Sequence, residues 1–460
     1  MNVGDRRQAQ IFFNTAIAAV NETNNPQRFT HGYQLFSSAA LTDPTWWEGL
    51  FQAGNNCSDL AHTEAAVACY RRALECQPTG EDLGKVYTNL GWKLHQLGKT
   101  EEALHWSRKA VELAPKEPYA WVNLSCIHQV LNNTKEGLRC AQKALEISPD
   151  DAMVTTCHAF ALLFDGRWAS GLKAFEARFK YELKNFLQFP YPKWHGEEGA
   201  TLYLVSDQGL GDTLSYARFV RETCKRCRYV HAFIHPPLLR AFNHAFVDTQ
   251  NLNLTPTSTP YPSADYWTTF VSLPFALGLT DEEIVNTKQI EIPRFSITKN
   301  WRVPDRKLHI GIAWAGSPLN KIDGHRNIPI KQFFDLCQVP GVQLYSMQVG
   351  DKAAEIHNAG GSPLVRDIVP YINDIVDTVA LLQHLDLVIC CESAMGHICS
   401  AIGKECWMPY SRLGKDYRMG IDGTKQLWSK HRPFLQGPDL SWGPVFEQIC
   451  QALEERIANA

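Results

Sequence analysis

Three short stretches carry residue types that can hold an anion or move a proton, each where an apolar run gives way to small residues. The first, LYLVSDQGLGDTLSYARF from Leu202, runs through Gly209-Leu210-Gly211-Asp212 straight into a helical pattern. The second is WAGSPLNKIDGHRNIP, where a run reaching Trp314 opens into a loop with Ser317, Lys321, His325 and Arg326. The third is LVICCESAMGHICSAIG, where Glu392-Ser393 leads into a helix that opens with Ala394 and carries His397. Backbone N–H groups at a helix start favour a phosphate, and Ser393 can donate one more hydrogen bond. Glu392 would repel a phosphate, so it is read as facing sugar or ribose hydroxyls or as holding the turn. Asp212, a lone carboxylate at a strand-to-helix turn, suits a general base, with two glycines that let a ligand approach the backbone. A plainer reading stands beside each: Asp212 and Ser393 as helix caps, His397 as a satisfied core residue.

Such turns need parallel strands to position them. From about Thr201, the runs LYLVS, YVHAFI, HIGIAWA, VQLYSMQ and LDLVICC alternate with amphipathic segments, the pattern of parallel sheets with covering helices. The proline- and threonine-rich LNLTPTSTPYPSADYW interrupts this alternation, and ITKNWRVPDRK from Ile297 reads as a linker. The expectation is a pair of Rossmann-type α/β domains over residues 185–300 and 301–460, their strand C-terminal ends around one cleft.

The first half repeats itself instead. YTNLGWKLHQLGKTEEALHWSRKAVELAP from Tyr87 aligns with WVNLSCIHQVLNNTKEGLRCAQKALEISP from Trp121 at an offset of 34, so Asn89 falls on Asn123, Ala110 on Ala144 and Pro115 on Pro149. That is the period of a tetratricopeptide repeat, a helix pair that stacks into a solenoid. An earlier copy closes at Pro78 with a three-residue insertion after it, and a later one keeps Gly166 and Leu172 in register. The solenoid is expected over 46–184, with residues 1–45 as an N-terminal helical cap.

Composition narrows the class. The chain has 460 residues, 45% apolar and 20% charged, with a formal charge of −3, and none of this supports a nucleic-acid partner. No apolar run is long enough for a transmembrane segment, and no secretory signal is read at MNVGDRRQAQ. Fourteen irregularly spaced cysteines read as reduced thiols in a cytoplasmic protein. Cys224-x-x-Cys227 with His231 and His235 is read as buried thiols and strand histidines, a zinc site being the alternative. GLGDTL places Leu214 where a dinucleotide fingerprint needs its third glycine, which argues against an oxidoreductase.

Taken in order, FPYPKWHGEEGATLYLVSDQGLGDTLSYARFV, DYWTTFVSLPFALGL, IGIAWAGSP…HRNIPI and DTVALLQHLDLVICCESAMGHICSAIGKECWMP resemble bacterial tetratricopeptide-repeat proteins with a C-terminal domain related to the heptosyltransferases, glycosyltransferase family nine. The resemblance covers essentially the whole chain. It implies a GT-B fold, an inverting mechanism and no catalytic metal. It makes Asp212, after Gly209 and Gly211, the general base, and puts Arg326 and Lys321 on the donor diphosphate. Glu392, Ser393 and His397, with Ala394 and Ser317 beside them, fall in the donor pocket, and Arg418 in KDYRMG is a further phosphate contact. Glutamate stands at 392 where the family has aspartate, and Asp207 where it has glutamate, so the sugar is left open.

The expected function is therefore metal-independent transfer from a nucleoside-diphosphate sugar, with no other cofactor. The first Rossmann half and the repeats meet a protein, peptide or glycan acceptor, and the second half holds the donor. The alternative is a repeat scaffold whose transferase domain no longer catalyses. Trp407, Tyr410, Tyr417 and Trp428 are read as core or loop packing, or as a stack for a nucleobase.

Overall fold

The 34-residue period shows first in backbone torsions. Gly98, Asn132 and Gly166, each 34 residues apart, take positive φ values of 74°, 62° and 76° at the turn joining two helices. Ala61 does the same at φ 61°, 37 residues before Gly98, so the three-residue insertion lengthens the first repeat. Glycine takes this conformation without strain, and asparagine tolerates it better than most residues.

The structure is a computed structural model describing residues 3–22, 24–181, 189–256, 263–293, 301–304, 306–316, 326–413, 416–419, 427 and 430–459. Its contacts group into two units, Met1–Ala161 and Leu162–Ala460. The first is helical throughout its described residues. α1 (Val3–Asn21) and α2 (Arg28–Thr42) form a hairpin, followed by α3 (Trp47–Asp59) with α4 (Thr63–Glu75), α5 (Gly80–Gln96) with α6 (Thr100–Leu113) and α7 (Pro118–Val130) with α8 (Thr134–Ile147). Proline opens α7 where its missing N–H costs nothing, and the Asn133 side chain caps α8 by accepting from the Glu136 N–H. Neighbouring repeats also touch through side chains: Asn89 Nδ2 on α5 donates to Asn55 Oδ1 on α3 at 2.8 Å.

In the second unit, α10 (Trp168–Phe175) follows α9 (Ala152–Phe164), which runs across the division. The contacts group Leu162–Tyr181 with the second unit. Arg178 is one tie, beside the Ala169 N–H that donates to Asp281 at 2.6 Å. Arg178 is wholly buried and donates from Nε and Nη2 to Asp207 Oδ2 at 3.0 and 2.9 Å, and from Nη2 to Thr269 and Ser272 at 2.9 Å. An arginine so committed ties its helix to the ends of two strands.

Among the described residues, all strand pairs are parallel. β1 (Thr201–Val205), β2 (Tyr229–Ile234), β3 (Leu252–Pro256) and β4 (Tyr266–Thr269) lie in the order β3-β2-β1-β4, with Tyr203 opposite both His231 and Trp267. β5 (Leu308–Ala313), β6 (Val342–Ser346), β7 (Val365–Asp367), β8 (Leu387–Cys390), β9 (Cys406–Tyr410) and β10 (His431–Leu435) lie in the order β10-β9-β8-β5-β6-β7. β5 and β8 are buried at every residue, as strands covered on both faces must be. The stretch read as an interruption supplies both edge strands of the first sheet, β3 and β4. Pro256 is tolerated because it is the last residue of an edge strand. β7, β9 and β10 were not anticipated at all.

Candidate functional site

β1 runs from Thr201 to Val205, and Gly209, extended at φ −64° and ψ 169°, caps the helix Leu210–Tyr216 without any side-chain bond. Asp212 therefore lies in the first turn and does not cap it. Its Oδ1 accepts from Arg418 Nη1 at 2.6 Å, across 206 residues of sequence and between the two sheets. Its Oδ2 lies beside Gly209, 3.3 Å from where a Cβ would stand. Arg418 in turn donates from Nε to Asp416 Oδ1 at 2.7 Å and bonds Asp416 Oδ2 from Nη2. One buried guanidinium thus faces two carboxylates.

The wall across from Asp212 forms where β8 ends. Glu392 is buried and accepts from Arg326 Nη1 at 2.6 Å. Burial pushes its carboxyl up to about 8, the Asp416 charge adding to this while Arg326 and Arg418 oppose it. Glu392 therefore holds Arg326 at the end of β8, a pairing the sequence does not indicate. Ser393 is the cap residue of the helix Ala394–Ala401, but its hydroxyl turns back to the Cys391 carbonyl at 3.2 Å and leaves the helix start uncapped by a side chain. Ser393 and Ala394 are half-buried.

His397 is buried inside that helix. Its Nδ1 lies 2.6 Å from Ser215 Oγ, and its ring packs so closely on Gly211 that a Cβ there would meet its Cδ2 at 2.3 Å. Burial holds its pKa well below the usual histidine value, with Arg418, His431 and Arg326 pushing the same way. So Gly211 admits a histidine from the facing helix, where sequence reasoning had it admitting a ligand. Ser317, Lys321, His325 and Trp428 lie outside the described residues.

Several supports escaped sequence reasoning. Gln348 Oε1 accepts from the Trp314 and Ala315 N–H groups at 2.9 and 2.8 Å, and Asn327 Oδ1 from the Gly316 N–H at 3.1 Å, fixing the start of the WAGSP loop. Tyr417 packs near Trp168 at 5.8 Å and its hydroxyl lies 3.2 Å from that of Tyr216. Trp407 packs on Phe434 at 5.4 Å, and Tyr410 is buried, so these rings serve the interior. Arg218, also buried, spans the carbonyls of Ser215, Thr287 and Leu427 at 3.1, 3.1 and 2.7 Å. It borders a cavity of about 970 Å³ reaching Ser400 and Gly403, at the opposite end of the helix whose start carries Ser393.

Cys224 and Cys227 are buried thiols, each pushed up to about 12 by burial. Their carbonyls accept from Asn251 Nδ2, and His235 Nε2 lies 2.9 Å from the Gln208 carbonyl. Among the described residues these side chains form no metal-binding group.

The tetratricopeptide repeat family matches this chain three times, at residues 48–79, 84–117 and 118–151. Similar solved structures include MamA from Desulfovibrio magneticus RS-1, at 16% identity over 39% of this chain and 97% of that one, with a TM-score of 0.32. TTC0263, a thermophilic TPR protein of Thermus thermophilus, is 16% identical over 38% and 93% at 0.33. YrrB, described as a TPR protein with an unusual peptide-binding site, is 18% identical over 38% and 86% at 0.29. No curated protein sequence matches the chain. Among the described residues, no helix is long and apolar enough to cross a membrane. The N-terminal region of this chain carries tetratricopeptide repeats.

Proposed function

We propose that the second unit is an inverting, metal-independent glycosyltransferase of GT-B type, and that the repeats recognise its acceptor or a partner protein. One observation carries this reading: Asp212 at the end of one parallel sheet lies 2.6 Å from Arg418, beside the arginine and helix start at the end of the other. Inverting transfer needs a base on one wall and an anion site on the opposite one. Asp212 takes the acceptor proton while the acceptor oxygen attacks the anomeric carbon, opposite the departing diphosphate. Arg326, Arg418 and the Ala394 helix start offset the charge that develops on the leaving group. A diphosphate that draws Arg418 toward itself frees the Asp212 carboxylate for that role.

A second reading, a scaffold that no longer catalyses, is favoured by the ion pairs themselves, since Arg326 and Arg418 are both engaged by carboxylates. Thermal melting with a panel of nucleoside diphosphates separates the two. The transferase reading expects one of them to raise the melting temperature, by about 2.7 kcal/mol of stabilisation at a hundredfold excess over Kd. Arg326→Ala should abolish that rise. Millimolar nucleotide without effect favours the scaffold.

A further inference from the structure

The third repeat holds a side-chain cluster that the transferase reading does not use. His128 on α7 and Glu136 and Cys140 on α8 each offer one ligand atom, and these atoms lie within 4.8 Å of one another. Glu136 and Cys140 stand four residues apart, one above the other on a helix face, and the helical hairpin brings His128 against them. A second observation is independent of this convergence. His128 is 5% exposed, and its Nδ1 is buried without a hydrogen-bond partner among the described residues. Buried polar atoms are nearly always partnered, so a buried imidazole with one nitrogen left over is the kind of side chain a ligand site uses. Two of the three residues, His128 and Glu136, also line a cavity of about 450 Å³ with Trp121, Arg108 and Lys135.

We propose that His128, Glu136 and Cys140 bind a single divalent cation of the zinc type, its fourth tetrahedral position open to water or to an anionic group in the cavity. The donor set is imidazole, carboxylate and thiolate, which suits Zn²⁺ and is wrong for the all-oxygen shells of Ca²⁺ or Mg²⁺. Ligand atoms about 2.0–2.3 Å from zinc stand roughly 3.3–3.8 Å apart, so the cluster closes by side-chain rotations of about 1 Å. Glu136 now accepts from Arg139 Nε at 2.9 and 3.0 Å and from Nη2 at 2.5 Å, a partly exposed pair three residues apart that the metal displaces on binding. Burial keeps His128 toward its neutral, ligating form against the opposing pull of Glu136, with Arg108 and Arg139 acting in the same sense as burial. The same burial pushes the Cys140 thiol up to about 12, so the metal–sulfur bond forms as the thiol proton passes to solvent. The bound ion ties α7 to α8 within the repeat, outside the proposed transferase site.

Cobalt titration of the full chain, stripped of metal, tests this by absorbance. The expected result is one tetrahedral Co²⁺ per chain with a thiolate charge-transfer band, which Cys140→Ser removes, and zinc displaces the cobalt. Glu136→Gln, at a half-buried position that leaves the core untouched, should weaken binding at least about tenfold. It keeps the test decisive should Cys140→Ser fail to fold. A chain that binds no Co²⁺, or binds it with unchanged affinity in Glu136→Gln, overturns the proposal.

Discussion

Gly211→Ala should destabilise the second unit, although alanine is ordinarily the better residue in a helix. The propensity gain is up to about 1 kcal/mol. Against it, the new Cβ would stand 2.3, 2.6 and 2.9 Å from Cδ2, Nε2 and Cγ of His397. Comfortable carbon contacts begin near 3.5 Å, so the ring must retreat by about 1 Å. It cannot do so freely, because its Nδ1 is engaged with Ser215 Oγ at 2.6 Å inside a buried helix. Overpacking of this kind costs about 1–3 kcal/mol, and a broken buried hydrogen bond about 1 more. The net expectation is a loss of about 1–3 kcal/mol. Hydrogen exchange of peptides spanning residues 202–219, followed through a urea series, reads this opening locally and avoids assuming one transition for a chain of two units. Gly209→Ala is the internal control, since its Cβ meets only Asp212 Oδ2 at 3.3 Å. In the double variant Gly211→Ala/His397→Ala the clash disappears, so the two changes should cost about 2 kcal/mol less than their sum. A Gly211→Ala protein as stable as the parent, or strict additivity in the cycle, would show that His397 does not crowd position 211.

Removing Arg178 by Arg178→Met strands the buried Asp207, while Glu176 keeps Lys193 and Ser272, and should cost about 3–5 kcal/mol in a urea melt of the second unit. Burial already raises the Asp207 pKa against the pull of Arg178, so its charge weakens the fold as pH rises, and the variant's deficit should widen with pH above the carboxylate range. Glu392 has a folded pKa near 8 against an ordinary 4.5, so its ionisation costs stability as pH rises through that window, by at most about 5 kcal/mol. Glu392→Gln should flatten this slope, seen as urea midpoints that converge with the parent at pH 5 and exceed it at pH 8.5.

What could be read in advance was whatever repeats or alternates locally. The 34-residue offset needs only Asn89, Asn123 and their companions, and the strands β1, β2, β5, β6 and β8 announce themselves as apolar runs bounded by small residues. The edge strands β3 and β4 were hidden because proline and threonine read as loop, and in β3 partial exposure, which an edge permits, also removes the apolar run. Site contacts were less legible for a different reason. Asp212 with Arg418, Gly211 with His397 and Arg178 with Asp207 are pairings between elements distant in sequence, and no local pattern encodes which charge meets which. Hence the residue types at the two turns were recognised while their partners were not, and Gly211 was assigned to a ligand when a histidine fills the space.

In the proposed transferase, Asp212 is the base of the sugar transfer. Release of nucleoside diphosphate from a panel of nucleotide-sugars, measured for the parent chain and for Asp212→Asn, tests it most directly. The expected result is turnover of at least one donor by the parent and a loss of about 10²–10⁴-fold in the variant, with nucleoside diphosphate affinity kept within a few-fold. Turnover in Asp212→Asn equal to that of the parent would contradict the claim.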